Sequence, residues 1–275
     1  MPILTQRSAR VRDARKLTRP QGRAKARLFL AEGPQAVREA LAATAEERPG
    51  LVTELFASPP AATRYADLID AALAAGVPVH HADEQALAAL SETITPQGMV
   101  AVCRLLSVPL DAAFDGTPHL VAILAEARDP GNAGTVIRCA DAAGADAVVL
   151  TRESVDPHGG KSVRASAGSV FHLPICADAD FETTVATARR RGLSVLAADG
   201  AGHLDLDEAE ATGVLARPAA WLFGNEAHGL PAATRDLADE VVRVPIYGRA
   251  ESLNLASAAA VCLYASARVQ RRSVR

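Results

Sequence analysis

The chain has 275 residues, is 49 % apolar and only 4 % aromatic, and carries a formal net charge of −3. That length suits two domains better than one, and a core made mostly of Ala, Val and Leu favours closely packed α/β layers over an aromatic-rich β-sandwich. No apolar run reaches membrane-spanning length and no apolar segment follows the Arg-rich start, so the expectation is a cytoplasmic protein with no membrane partner. Cys103, Cys139, Cys176 and Cys262 are scattered without CxxC spacing, each in or beside an apolar run, as expected of buried thiols in a reducing compartment.

Charge is distributed unevenly. Residues 1–27 contain nine cations (Arg7, Arg10, Arg12, Arg15, Lys16, Arg19, Arg23, Lys25 and Arg27) opposed only by Asp13, on an otherwise acidic chain. Such a basic N-terminal arm suggests a polyanionic partner, and a solvated helix face or a tail is the competing reading. Helical spacing does not choose between them: Arg12, Lys16, Arg19 and Arg23 would share one face while Arg7, Arg10 and Lys25 fall opposite. Arg268, Arg271, Arg272 and Arg275 are weaker evidence of the same kind.

Residues 28–106 read as a small α/β domain. Short apolar strands are predicted at 28–31, 54–57, 77–80 and 97–104. Helices are predicted after Gly33–Pro34, over 63–75 ending at Gly76, and over 83–92 behind a capping Asp83. Residues 107–118, with Pro109, Gly116 and Pro118 and little periodicity, form the predicted linker. From 119 to 275 strand and helix alternate. Strands are expected at 120–126, 147–150, 172–175, 194–198, 219–223 and 241–246, with helices at 134–143, 161–169, 181–191, 232–237 and 255–268. Near-continuous apolar strands between helices predict a parallel sheet covered on both faces, with ligands at the strand C-termini.

Three segments share the build of an apolar strand running into a polar, Gly-containing turn: Asp129–Ala145, Trp221–Leu230 and Val244–Arg268. Ser252 and Asn254 are good N-caps, and a helix N-terminus flanked by Ser and Asn offers free N–H donors to a ligand. The common nucleotide sites are absent from these turns. GNAG lacks the G-x-G-x-x-G spacing, HGGKS lacks the first glycine of a phosphate-binding loop, and no G-x-S-x-G occurs. His80 and His81, adjacent on a strand, point to opposite faces and make a poor metal pair.

Together, N-x-G-x-x-x-R at Asn132, Gly134 and Arg138, then FGNEAHGL, then PI…ESLNLASAAAV resemble the three successive motifs of the SpoU (TrmH-like) branch of the SPOUT RNA methyltransferases. FLAEGPQAVREAL (29–41) and TPQGMVAV (95–102) are similar to the start and end of that family's substrate-binding domain, so the resemblance covers nearly the whole chain. It implies a C-terminal trefoil-knotted domain, one of the rare exceptions to unknotted topology. It also implies S-adenosylmethionine as methyl donor, a homodimer through the knotted domain, and transfer to a ribose 2′-OH of structured RNA, 23S ribosomal RNA being favoured. A transfer RNA substrate, or a non-catalytic RNA-binding protein keeping the fold, are the alternatives.

The resemblance places Arg138 at the reacting hydroxyl, either as a base or as the cation that stabilises the developing alkoxide. Asn132, Glu226, Ser252 and Asn254 complete the implied catalytic group. Donor contacts are expected from Leu196, Ala197 and Ala198 on one strand, and from Phe223, Gly224, Asn225, Gly229, Ile246, Leu253 and Leu255. For Ile246 and Leu255 plain core packing, and for Ser252 and Asn254 plain helix capping, are the competing explanations.

Overall fold

The computed structural model describes residues 3–226 and 228–272, so Arg275 of the basic C-terminal end lies outside the described residues. The chain divides into two compact units, residues 1–106 with 156–172, and residues 107–155 with 173–275.

The first unit opens with two short helices, α1 (Ala9–Arg15) and α2 (Pro20–Ala26), then β1 (Leu28–Glu32), α3 (Pro34–Glu46), β2 (Val52–Ala57), α4 (Pro59–Arg64), α5 (Ala66–Ala74), β3 (Val79–His81), α6 (Glu84–Leu90) and β4 (Met99–Arg104). Its sheet has the order β1-β4-β2-β3, with β4 antiparallel to both neighbours and β2 parallel to β3. Gly33 turns the chain from β1 into α3 at φ +93, a conformation open to glycine, with Pro34 in the first helical position. The single helix expected over 63–75 is two. Ser58 caps an earlier start at Pro59–Pro60, and Tyr65 breaks the helical run.

The basic arm is not a tail. Val11, Ala14 and Leu17 are buried and join Leu30, Phe56, Leu87 and Leu90 in the core. Their three-residue spacing puts one face of α1 and the turn after it against the sheet. The chain before α1 is also held, with the Leu4 N–H donating to the His81 carbonyl at 2.8 Å.

The second unit runs through α7 (Leu110–Ala113), β5 (Leu120–Leu124), α8 (Pro130–Ala143) and β6 (Ala147–Thr151). The chain then contributes α9 (Gly160–Ala165) to the first unit. Residues 156–172 cluster with the first unit, although the chain on either side of them belongs to the second. The second unit resumes with β7 (Ile175–Ala179), α10 (Phe181–Arg190), β8 (Ser194–Ala198), β9 (Leu204–Asp205), α11 (Leu206–Ala211), β10 (Ala219–Phe223), α12 (Ala232–Arg235), β11 (Glu240–Arg243) and α13 (Leu255–Arg272).

Its seven strands, ordered β7-β6-β5-β10-β8-β11-β9, are all parallel. Fully buried Val121, Ile123, Val149, Val195 and Leu222 fill the core on one face. Two strand ends shift from expectation for the same reason. Pro174 and Pro245 have no N–H for a ladder, so β7 begins after Pro174 and β11 ends before Pro245.

Helix α13 buries Ala256, Ala259, Cys262, Leu263, Ser266 and Ala267. Within that packing the Trp221 indole N–H donates to Ser266 Oγ at 2.9 Å. All four cysteines are unpaired, and burial pushes the Cys262 thiol up to about 12.

Candidate active site

The C-terminal ends of β8, β10 and β11 open onto one cavity of about 290 Å³, near the lower end of the range for small-molecule sites. After β10 the chain doubles back sharply. The Asn225 N–H donates to the Gly229 carbonyl at 3.0 Å and the Gly229 N–H to the Asn225 carbonyl at 2.8 Å. This hairpin brings backbone onto Gly224, where a Cβ would stand 2.4 Å from the Gly229 carbonyl carbon. Only glycine fits there. Asn225 Nδ2 ties the turn to the next strand end, donating to the Glu126 carbonyl at 2.9 Å.

Of the residues expected at the site, Phe223, Gly224, Asn225, Glu226, Gly229, Ile246, Ser252, Leu253 and Leu255 line the cavity. Leu196 and Ala197 do not. Both lie inside β8, paired to β10 on one side and β11 on the other and wholly buried. A site at the strand end meets only the last strand residue, Ala198, and the turn after it, Asp199 and Gly200. Val244, Glu251 and Ala258 also line it without having been singled out. For Asp199 a signal existed: it is the first residue past a buried strand in a parallel sheet, where such sheets present ligand contacts. Arg235 pairs with it at 3.3 Å.

At the cavity edge three motif residues form a hydrogen-bonded chain. Asn254 Nδ2 donates to Asn132 Oδ1 at 3.1 Å, and Asn132 Nδ2 donates to Glu226 Oε1 at 3.2 Å. Glu226 also accepts the backbone N–H groups of Arg128 and Asp129, each at 3.1 Å. Asn254 does cap α13, its Oδ1 accepting from the Ala256 N–H at 2.9 Å, so its two roles coexist: the oxygen holds the helix and the amide reaches the site. Partial burial works against the charge on Glu226, but the N–H groups of Arg128, Glu226 itself and Asp129, with the Asn132 amide, outweigh it and hold the carboxyl below its usual value.

Arg138 is placed differently. It stands on the exposed face of α8, outside the cavity lining, and makes no ion pair among the described residues. Asn132, six residues earlier, sits in the first turn of the same helix behind the Asp129 cap.

The cavity suits an adenosyl sulfonium donor. Ala198, Phe223, Val244, Ile246, Leu253 and Leu255 offer apolar walls for a purine, while Asp199 and Glu251 offer acceptors for hydroxyls and a cationic end. Gly224 keeps backbone rather than a side chain at the wall. Among the described residues no group of His, Cys, Asp and Glu is arranged to hold a metal.

A parallel sheet with such a cavity at its strand ends, preceded by a separate small α/β unit, defines a two-unit α/β ligand-binding protein, and comparison with known proteins gives its class. The model of the SpoU rRNA methylase family matches residues 119–264, and that for RNA 2′-O ribose methyltransferase substrate binding matches residues 30–109. A Bacillus subtilis protein named 23S rRNA (guanosine(2553)-2′-O)-methyltransferase RlmP is 35 % identical over 95 % of this chain and 97 % of its own.

An AdoMet-bound rRNA methyltransferase from Sinorhizobium meliloti superposes with a TM-score of 0.81 at 31 % identity, covering 97 % of this chain and 98 % of that one. The SpoU methyltransferase AviRb from Streptomyces viridochromogenes, in complex with AdoMet, also gives 0.81, at 29 % identity over 98 % of this chain and all of that one. The chain belongs to the SpoU rRNA methylase family and is an S-adenosylmethionine-dependent RNA 2′-O-ribose methyltransferase.

Proposed function

We propose that the substrate is 23S ribosomal RNA, methylated at one ribose 2′-OH, and that the reacting ribose is held at the Asn254–Asn132–Glu226 chain. That chain carries the reading. It joins the turn after β10, the first turn of α8 and the start of α13 at the rim of the donor cavity. The RlmP relative is named for 23S rRNA, as is a Streptomyces viridochromogenes relative acting on uridine 2479 at 34 % identity over 63 % of this chain.

Bound in the cavity, the donor supplies an electrophilic methyl on sulfur. The protein's part is to hold the ribose oxygen in line with that methyl, so that the O–CH3 bond forms as the S–CH3 bond breaks and the hydroxyl proton passes to solvent water. Positioning of this kind can supply a large share of the rate. Asn132 and Asn254, whose amides are oriented by hydrogen bonds, bind the sugar–phosphate beside the hydroxyl. Ser252, at the cavity wall, is within the same group. Arg138 is exposed and makes no ion pair among the described residues, so its guanidinium can meet the phosphate of the target nucleotide and the alkoxide forming beside it.

The active form is a homodimer through the second unit, and the C-terminal segment carrying α13 threads the family's trefoil knot. Support comes from the outward face of α13, where Val261 and Tyr264 are 40 % and 51 % exposed, and from Leu253 just before it at 38 %. A second copy covering these side chains would remove them from water.

Arg138→Ala tests the assignment. Transfer of labelled methyl from the donor to 23S RNA should fall by at least about 10²-fold, the scale of losing one preorganised group at developing charge, while calorimetry finds donor binding unchanged. Retained turnover would remove Arg138 from the reaction.

A further inference from the structure

Residues 3–29 precede both family matches, yet they fold as part of the first unit and shape a distinct hollow. This hollow, of about 440 Å³, is lined by Arg12, Arg15, Lys16, Thr18, Arg19, Gln21, Gly22 and Lys25. Five of the eight are cations and none is a carboxylate. We propose that this hollow binds the phosphate backbone of the RNA substrate and forms a second substrate contact surface, remote in sequence from the methylation motifs. The proposal rests on the RNA methyltransferase reading and deepens it.

Seven of the segment's nine cations, five of them lining the hollow, divide by what they touch. Arg23 is a structural anchor, 5 % exposed, with Nε donating to Asp156 Oδ2 at 2.7 Å and Nη1 to the Leu17 carbonyl at 3.0 Å. Arg10 pairs with Glu54 at 3.0 Å. Lys16 pairs with Asp13 at 2.7 Å, but both ends are about 70 % exposed, so the pair holds weakly and exchanges readily for a phosphate. Arg12, Arg15, Arg19 and Lys25 make no ion pair among the described residues. Four cations without an ion pair around one hollow repel one another, and an anion in the hollow relieves that repulsion.

The framework is fixed rather than adaptable. Val11, Ala14 and Leu17 lock α1 and the following turn into the core. Gly22 lets α2 lie directly on that turn, because a Cβ there would stand 1.9 Å from the Lys16 carbonyl oxygen. The occupant is a nucleic-acid backbone rather than an acidic protein or an anionic membrane. The lining contains no apolar side chain to receive the hydrophobic part of a peptide or a lipid, and clustered cations without base-reading geometry are what phosphate contacts require.

The test measures binding of in vitro transcribed 23S RNA to the full-length protein as a function of salt. The first variant is R12Q/R15Q/R19Q/K25Q; the second, R12K/R15K/R19K, keeps the charge. For four lost phosphate contacts the salt slope should drop by about 3, taking about 0.7 per contact on single-stranded RNA. The Lys variant should keep the wild-type slope, and donor binding by calorimetry should be the same in all three.

An unchanged slope and affinity in the Gln variant, with methylation of the RNA intact, would overturn the hollow while leaving the enzyme reading standing. Polyglutamate or anionic phospholipid vesicles competing as well as RNA would overturn the choice of partner. No RNA binding by the wild type would overturn the RNA reading, and the hollow with it.

Discussion

At Glu226 one carboxylate collects the N–H groups of Arg128 and Asp129 and the amide of Asn132, so a residue in the turn after β10 sets the shape of the loop that opens α8. These donors favour the charged form and hold the carboxyl below its ordinary value in the folded protein. Its contribution is therefore complete above the usual carboxylate range and is lost as pH falls through the lowered folded value. Glu226→Gln keeps the size and removes the charge for which the loop amides are arranged. Methyl transfer should drop on the order of 10²-fold, the cost of misplacing a reacting group by about 1 Å, a larger effect than on donor affinity. A kinetic comparison with wild type reads this directly, and an unchanged rate would mean that Glu226 serves the loop's fold alone.

Among the elements, the α1–α2 pair departs most from what the sequence offered. Counting cations on a helical wheel left arm, tail and helix face open, because the decisive residues are the apolar ones between them. Val11, Ala14 and Leu17 are buried and Arg23 faces inward to Asp156. Burial opposes the charge on Asp156, but hydrogen bonds from the His158 side chain and N–H and from Arg23 outweigh it, so its carboxyl sits well below the usual range. The stabilisation is present at neutral pH and is lost as acid reaches the carboxylate range and below.

Arg23→Ala should lower stability by about 2 kcal/mol, less than the cost of breaking a fully buried pair because Asp156 is partly exposed. A fall in the urea midpoint reads this, and the deficit should shrink as pH is lowered. An unchanged midpoint would mean that α2 is not tied down by this pair.

The parallel strands of the second unit were legible because buried strands in such sheets are continuous apolar runs. The ends of β7 and β11 were not, since Pro174 and Pro245 matter only once the hydrogen-bonding partners are known. The same limit applied to the site. The turn residues of three motifs were readable as loops and do meet at one cavity, but strand residues such as Leu196 and Ala197 could not be separated from Ala198 and Asp199 without the register that fixes where β8 ends. The inclusion of residues 156–172 in the first unit was also invisible. The segment is continuous with the second unit in sequence and is attached through pairs such as Arg23–Asp156 and Glu32–Arg164, 133 and 132 residues apart.

The molecule as a whole has a donor cavity at the ends of a seven-stranded parallel sheet, a substrate-binding unit ahead of it in sequence, and a basic hollow on that unit. Its proposed reaction is transfer of a methyl group to one ribose of 23S RNA. A 2′-O-methyl group removes the nucleophile that cleaves the adjacent phosphodiester in alkali, so a modified position resists alkaline hydrolysis. Total RNA from cells with and without the gene, mapped by alkaline fragmentation, should differ at a single protected position in 23S RNA. That protection should return when purified protein and S-adenosylmethionine are added to the unmodified RNA. Identical maps, or a difference confined to transfer RNA, would contradict the account.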